Sequence, residues 1–159
     1  MQKEILVIKK EAYKFSSAHM TVFPDGSKEA LHGHNYQVLV RLGFARPKFK
    51  DFVDFKVFKQ SIKALCDEWD EKVLLATKNP FYKVLKKTKA ELEFELCGKR
   101  YVLPLDEISM LETDNISSEN LAWLFLEKLQ KKLKGNALLI LEVEVFESSG
   151  QSVIVSWEK

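Results

Sequence analysis

The stretch His32-Gly-His-Asn-Tyr-Gln-Val-Leu-Val-Arg-Leu-Gly-Phe44 decides how the chain is read. His32, His34, Tyr36, Val38, Val40 and Leu42 share one parity, so a strand here turns two imidazoles, a phenol and three aliphatic groups to the same face. Upstream, Met1 to His19 reads as a second strand: Ile5, Leu6, Val7 and Ile8, then Ala12, Tyr13 and Phe15, with no helix breaker among many β-formers. Between them Pro24-Asp25-Gly26-Ser27 marks a turn, because proline presets φ and glycine accepts positive φ. A loop over Thr21 to Ala30 therefore separates the two strands.

Downstream, Asp54 is a suitable N-cap for a helix whose apolar residues Phe55, Phe58, Ile62, Leu65, Cys66 and Trp69 recur at three- and four-residue steps. Cys66 lies on that stripe and reads as a packing thiol. The lysine-rich run Lys83 to Lys89 reads as a solvated face near a loop. Glu91 to Leu103, interrupted at Cys97-Gly98-Lys99-Arg100, reads as a hairpin. Ser117-Ser118-Glu119-Asn120 opens a second helix carrying Leu121, Ala122, Leu124, Phe125 and Leu129, closed by Lys131 to Lys134 and Gly135. Leu138 to Glu147 and Ser152 to Trp157 are the last strands. Helices segregated from antiparallel strands define an α+β class.

The length of 159 residues fits one domain over 1–159. With 46% hydrophobic and 30% charged residues the chain can bury a core, which excludes a disordered polymer. Lys plus Arg is 25 and Asp plus Glu is 23, a net charge of +2 that argues against a protein built to grip nucleic acid. The longest apolar run, Ala137 to Leu141, is too short to span a bilayer, and the N-terminus lacks the pattern of a signal peptide. A cytoplasmic protein without membrane partners is expected. Two cysteines, at 66 and 97, make no disulfide framework and no metal-ligand spacing.

All three histidines, His19, His32 and His34, fall within 16 residues. His32 and His34 project from one face about 7 Å apart at Cα, and antiparallel pairing can bring His19 beside them. Three neutral imidazoles converging at about 2.0 to 2.1 Å from one ion suit a zinc site that leaves its fourth position open; unrelated strand histidines are the alternative. Glu147 belongs to the parity series of Leu139, Leu141, Val143 and Val145, whereas Glu142 and Glu144 fall on the opposite, wetter face. A carboxylate on an apolar face needs partners. Glu147 is either a strand-end group already back in water or a bidentate acceptor for the ring NH and exocyclic amine of a pterin or guanine.

Phe15-Ser-Ser-Ala-His19, Leu31-His-Gly-His-Asn-Tyr36, Val53-Asp-Phe55, Trp69-Asp70, Ser117-Ser-Glu-Asn120 and Val145-Phe-Glu-Ser148 stand in the order seen in the 6-pyruvoyl-tetrahydropterin synthase and 6-carboxytetrahydropterin synthase family, which the chain resembles over almost its whole length. The extra sequence lies between about Pro80 and Glu112. The resemblance implies the tunnelling fold, an antiparallel sheet with two helices on one face whose subunits join their sheets into a barrel, here with an added hairpin. It implies zinc on His19, His32 and His34, a pterin anchor at Glu147, and Ser117 with Ser118 as a hydroxyl pair near the pterin. Either serine also suits a helix N-cap. Active sites between subunits imply a homo-oligomer built on trimers, up to a hexamer.

Two departures from the family pattern bear on chemistry. The better-known members carry a catalytic cysteine shortly before His-Gly-His, but here the loop reads Gly26-Ser-Lys-Glu-Ala-Leu31. Glu29 resembles instead the subgroup that uses glutamate there and cleaves the dihydroneopterin side chain to 6-hydroxymethyl-dihydropterin. The family's Asp-His pair appears as Asp70-Glu71, which leaves no histidine to shuttle protons. The resemblance thus implies a zinc-dependent lyase acting on dihydroneopterin or its triphosphate. Glu29, with a pKa raised by burial, moves a proton, helped by Asp70 of a neighbouring subunit, and Glu71 stands at the second proton-transfer position. The alternative is a zinc and pterin or purine binding protein that has lost catalysis.

Overall fold

A computed structural model describes residues 3–46, 53–133 and 137–159. The main sheet has six strands in the order β7-β3-β1-β2-β8-β9. Strands β1 (Lys3–His19) and β2 (His32–Ala45) pair antiparallel, as do β2 with β8 (Leu138–Ser148) and β8 with β9 (Gln151–Glu158). The antiparallel sheet expected from sequence gains two short parallel neighbours, β3 (Lys72–Ala76) beside β1 and β7 (Ile108–Leu111) beside β3. Both are brief apolar runs without a clear period, which alternation counting passes over.

Register puts the apolar parity of β2 against that of β8: Val38 opposite Val145, Val40 opposite Val143, Leu42 opposite Leu141. That face is covered by α1 (Lys56–Trp69) and α2 (Ser118–Lys132), α1 over β1 and α2 over β8 and β9. Phe58, Ile62, Leu65, Cys66 and Trp69 of α1 and Leu121, Ala122, Phe125 and Leu129 of α2 meet the sheet in one cluster. Asp54 falls one residue short of the cap position, which Phe55 occupies. The Asp54 carboxylate still serves the helix start by accepting the Lys56 N–H at 2.8 Å. Of the residues expected to close α2, Lys134 and Gly135 lie outside the described residues.

The expected hairpin is two strands of a separate three-stranded sheet, β4 (Tyr82–Lys87), β5 (Glu91–Leu96) and β6 (Lys99–Pro104). Its turn is shorter than Cys97 to Arg100: Cys97 (φ 52°) and Gly98 (φ 74°) make a two-residue turn, and Lys99 and Arg100 already belong to β6. The lysine-rich run is β4 itself, solvated as expected but a strand. Leu92, Phe94 and Leu96 of this sheet form a second cluster with Leu75 and with Met20 and Val22 of the loop that follows β1. The same loop meets the sheet again where Lys28 Nζ lies 5.3 Å from the centre of the Tyr101 ring, and Gly26 packs against Phe81 just before β4.

The open face of the main sheet corrects another expectation. Glu144, read as facing water, is only 8% exposed. It accepts from Arg41 at 2.9 Å and from Ser152 at 2.8 Å, so the charge is paired where it is buried.

Candidate metal centre and its surroundings

The β1/β2 register sets His19 opposite His32 and Ser17 opposite His34. Gly33 sits between the two histidines because a Cβ there would lie 3.0 Å from the Ser17 carbonyl oxygen. The three rings gather with centroids 4.6 Å (His19 to His32), 4.9 Å (His32 to His34) and 5.3 Å (His19 to His34) apart. One ligand nitrogen from each lies within 4.8 Å of the others.

Backbone carbonyls orient two of the rings. His19 Nδ1 meets the Ile116 carbonyl at 3.0 Å and His32 Nδ1 meets that of Ala30 at 2.8 Å. Protons placed on those nitrogens leave the Nε2 lone pairs of both rings directed at the common centre. His19 Nε2 is buried without a hydrogen-bond partner. Burial holds the His19 pKa below its usual value, which favours the neutral imidazole that a metal requires. Three imidazole nitrogen donors, one of them an otherwise orphaned buried atom, fit a divalent cation that keeps an open position.

The carboxylates divide into two groups. Glu147, at the end of β8, places Oε1 3.0 Å from His34 Nε2 and accepts the Ser118 hydroxyl on Oε2 at 2.9 Å. His34 Nε2 also lies 3.0 Å from His32 Nε2. A hydrogen bond from His34 Nε2 needs a proton there and metal ligation needs the lone pair, so the two exclude each other. Glu29 brings Oε2 to 3.8 Å from His32 Nε2. It is not raised by burial as expected: the Thr21 hydroxyl holds its carboxyl below the usual range. It is a carboxylate at neutral pH, a proton acceptor.

Asp70 and Glu71 sit apart from this centre, where α1 runs into β3. Asp70 Oδ1 accepts the Ser16 N–H at 2.7 Å, and the Glu71 N–H donates to the Ser16 carbonyl at 2.7 Å. Among the described residues neither carboxylate is hydrogen-bonded or ion-paired to a histidine of the triad. Glu71 helps line a cavity of about 370 Å³ with Ser16, Gly33, His34, Asn35 and Glu107. The two serines also part company. Ser117 is the N-cap of α2, accepting the Asn120 N–H at 3.3 Å and donating to Asn120 Oδ1 at 2.7 Å, while Ser118 alone faces Glu147.

Sequence reasoning missed Thr21 and the carbonyls of Ala30 and Ile116. Carbonyl acceptors leave no trace in residue identity. Thr21 announces itself only through the bridge of Val22 to Lys28, which folds the loop so that the Glu29 N–H reaches the Thr21 carbonyl at 2.9 Å.

A sheet that carries three histidines beneath a helix N-terminus, with a carboxylate at the end of a neighbouring strand, is the architecture of the tunnelling fold. The chain belongs to the 6-pyruvoyl tetrahydropterin synthase family, whose model matches residues 7–158. It is 33% identical over 144 residues to a candidate 6-carboxy-5,6,7,8-tetrahydropterin synthase of Methanocaldococcus jannaschii, covering 87% of this chain and 86% of that protein. Among solved structures, the 6-pyruvoyl tetrahydropterin synthase of Plasmodium vivax superposes with a TM-score of 0.89 at 23% identity over 100% of both chains. That of Plasmodium falciparum gives 0.89 at 22%, also over 100% of both. These likenesses establish the fold.

Proposed function

We propose that the chain is a zinc-dependent pterin lyase that acts on dihydroneopterin or its triphosphate and cleaves the side chain to 6-hydroxymethyl-dihydropterin. The observation that carries this reading is the gathering of one imidazole nitrogen from each of three histidines within 4.8 Å, with Glu147 3.0 Å from His34 and Glu29 3.8 Å from His32. His19, His32 and His34 would hold the zinc, which when bound supplies Lewis acidity to side-chain oxygens. Glu147, steadied by Ser118, takes the pterin ring NH and exocyclic amine. Glu29 Oε2 accepts the proton of the hydroxyl on the second side-chain carbon. The bond between the first and second side-chain carbons then breaks, its electron pair passes into the dihydropterin ring, a two-carbon aldehyde (with its phosphates, from the triphosphate) leaves, and the first carbon takes up a proton to become the hydroxymethyl group. A glutamate in this role is supported by a solved Plasmodium vivax synthase described as a catalytic-residue mutant in which glutamate is replaced by alanine.

The reading includes a homo-oligomer. Strand β3 pairs with β1 only at Ser17 and Ala18, so the long first part of β1 offers a free edge, and β9 ends the other side of the sheet. Exposed Ile5, Val7 and Ile154 accompany those edges. Joining edges of neighbouring copies is how Asp70 and Glu71 of one subunit would reach the triad of another. The second reading, a zinc and pterin binder without turnover, is favoured by one observation: Asp70 is already engaged with the Ser16 backbone.

Zinc-loaded protein incubated with dihydroneopterin and with its triphosphate, followed by fluorescence chromatography, separates these readings. The lyase yields 6-hydroxymethyl-dihydropterin, whereas the binder returns both compounds intact. Loss of most of the zinc on His34→Ala is expected in either case, and protein that takes up no zinc at all would sink both.

A further inference from the structure

Tyr36 follows His34 by two residues on β2 and is wholly buried, stacked on Phe15 with ring centroids 4.9 Å apart. Its ring lies 5.6 Å from that of His34 and 6.2 Å from that of His19. Among the described residues the phenol hydroxyl has no hydrogen-bond partner. Buried hydroxyls are rarely left so, because the lost hydration is not replaced. Two other buried donors share this condition, Trp69 Nε1 and the Tyr82 hydroxyl, but their rings pack among Phe15, Phe125 and Phe94, within the hydrophobic clusters. Tyr36 alone of these side chains has its ring against the histidines.

We propose that Tyr36 is a ligand-binding residue that donates its phenol O–H to a side-chain oxygen of the pterin held between the histidine triad, Glu147 and Glu29. This rests on the pterin reading above. A buried phenol hydroxyl that no described residue bonds, on a ring packed against two histidines of the triad, calls for an acceptor that arrives with the ligand. The ring edge assigned to Glu147 presents N–H donors and cannot accept from it. The hydroxyl or keto oxygens of the side chain can, and the triad and Glu29 are the groups assigned to that end of the molecule.

Tyr36→Phe keeps the ring on Phe15 and removes only the oxygen. Calorimetric titration of the zinc-loaded proteins should show neopterin bound about three- to tenfold more weakly by Tyr36→Phe. Binding of 6-methylpterin, which lacks side-chain oxygens, should be unchanged, and zinc content should equal that of the parent. The metal-free variant should melt no lower than the parent, since the hydroxyl it loses has no partner in the ligand-free protein. Equal neopterin affinity, an equal loss for both pterins, or a lower melting temperature would each overturn the assignment. If Glu147→Gln weakens neopterin while Tyr36→Phe does not, only the tyrosine assignment falls. A parent protein that binds neither pterin overturns the pterin reading and this one with it.

Discussion

Glu147 shows how much one side chain is asked to do. Its two oxygens already have partners, His34 and Ser118, at 3.0 and 2.9 Å. Glu147→Gln leaves one acceptor oxygen and puts an NH2 where the ligand donates, so neopterin affinity should fall by about 1.5 to 3 kcal/mol, the range for a bond to a charged group. Zinc content should stay the same, and calorimetry with neopterin reads the difference directly. Glu29→Gln should instead leave affinity and zinc nearly intact and lower turnover on dihydroneopterin by about a hundredfold or more, because it removes only the proton acceptor. A Glu29→Gln protein with full turnover would take the glutamate out of the chemistry. Cys66 belongs to stability. Burial pushes its thiol up to about 12. The folded thiol therefore holds its proton where the unfolded one, at its ordinary value near 9.0, has lost it. Stability from this group is complete below pH about 9 and declines as pH rises towards 12. Urea titrations between pH 8 and 10.5 should show that decline, and at pH 8 a thiol reagent should label Cys97 in the native protein and Cys66 only after unfolding.

At the level of elements, parity was the most legible signal. His32, His34, Tyr36, Val38, Val40 and Leu42 do share a face, and α1 and α2 cover it. The helices were legible because a 3.6-residue stripe over fourteen or fifteen residues is hard to counterfeit. Strands β3 and β7 were not, since four or five residues are too few to establish a period. The site divides in the same way. Parity set His32 and His34 on one face and singled out Glu147, while the roles of the three histidines and of Glu147 came from the family resemblance; the pairing of Ser118 rather than Ser117 with Glu147 depends on where a helix begins to within one residue. The failure at Glu144 has a similar cause, because no pattern within β8 tells that Arg41 stands on the neighbouring strand. Gly43 exposes a further cross-strand constraint. A Cβ at this position would lie 2.6 Å from Ile140 Cβ, a rigid branch point. Gly43→Ala should therefore destabilise the protein by about 1 to 3 kcal/mol in urea unfolding. Zinc binding should survive, because the triad lies at the opposite end of β2; loss of zinc together with stability would show that the two ends are mechanically coupled.

For the whole molecule, the edge of β1 that no described strand covers and the outer strand β9 predict assembly. Light scattering of the zinc-loaded protein should give a mass that is a multiple of three chains, and Val7→Lys with Ile154→Lys should shift it towards the monomer. A parent protein that remains monomeric at micromolar concentration would remove the subunit-crossing role of Asp70. The division of the interior into two clusters reaches further. The triad stands on the large sheet, but the loop that presents Glu29 is tied through Met20, Val22, Lys28 and Gly26 to the small one. Warming has two places to begin, and a three-stranded sheet with a small core of its own is the weaker. If the protein is the assembled zinc enzyme proposed above, opening there would carry Glu29 away while leaving the metal in its seat. The protein would then fall silent before it melts, over a span of temperature in which it is loaded, assembled and idle, and from which cooling alone should revive it.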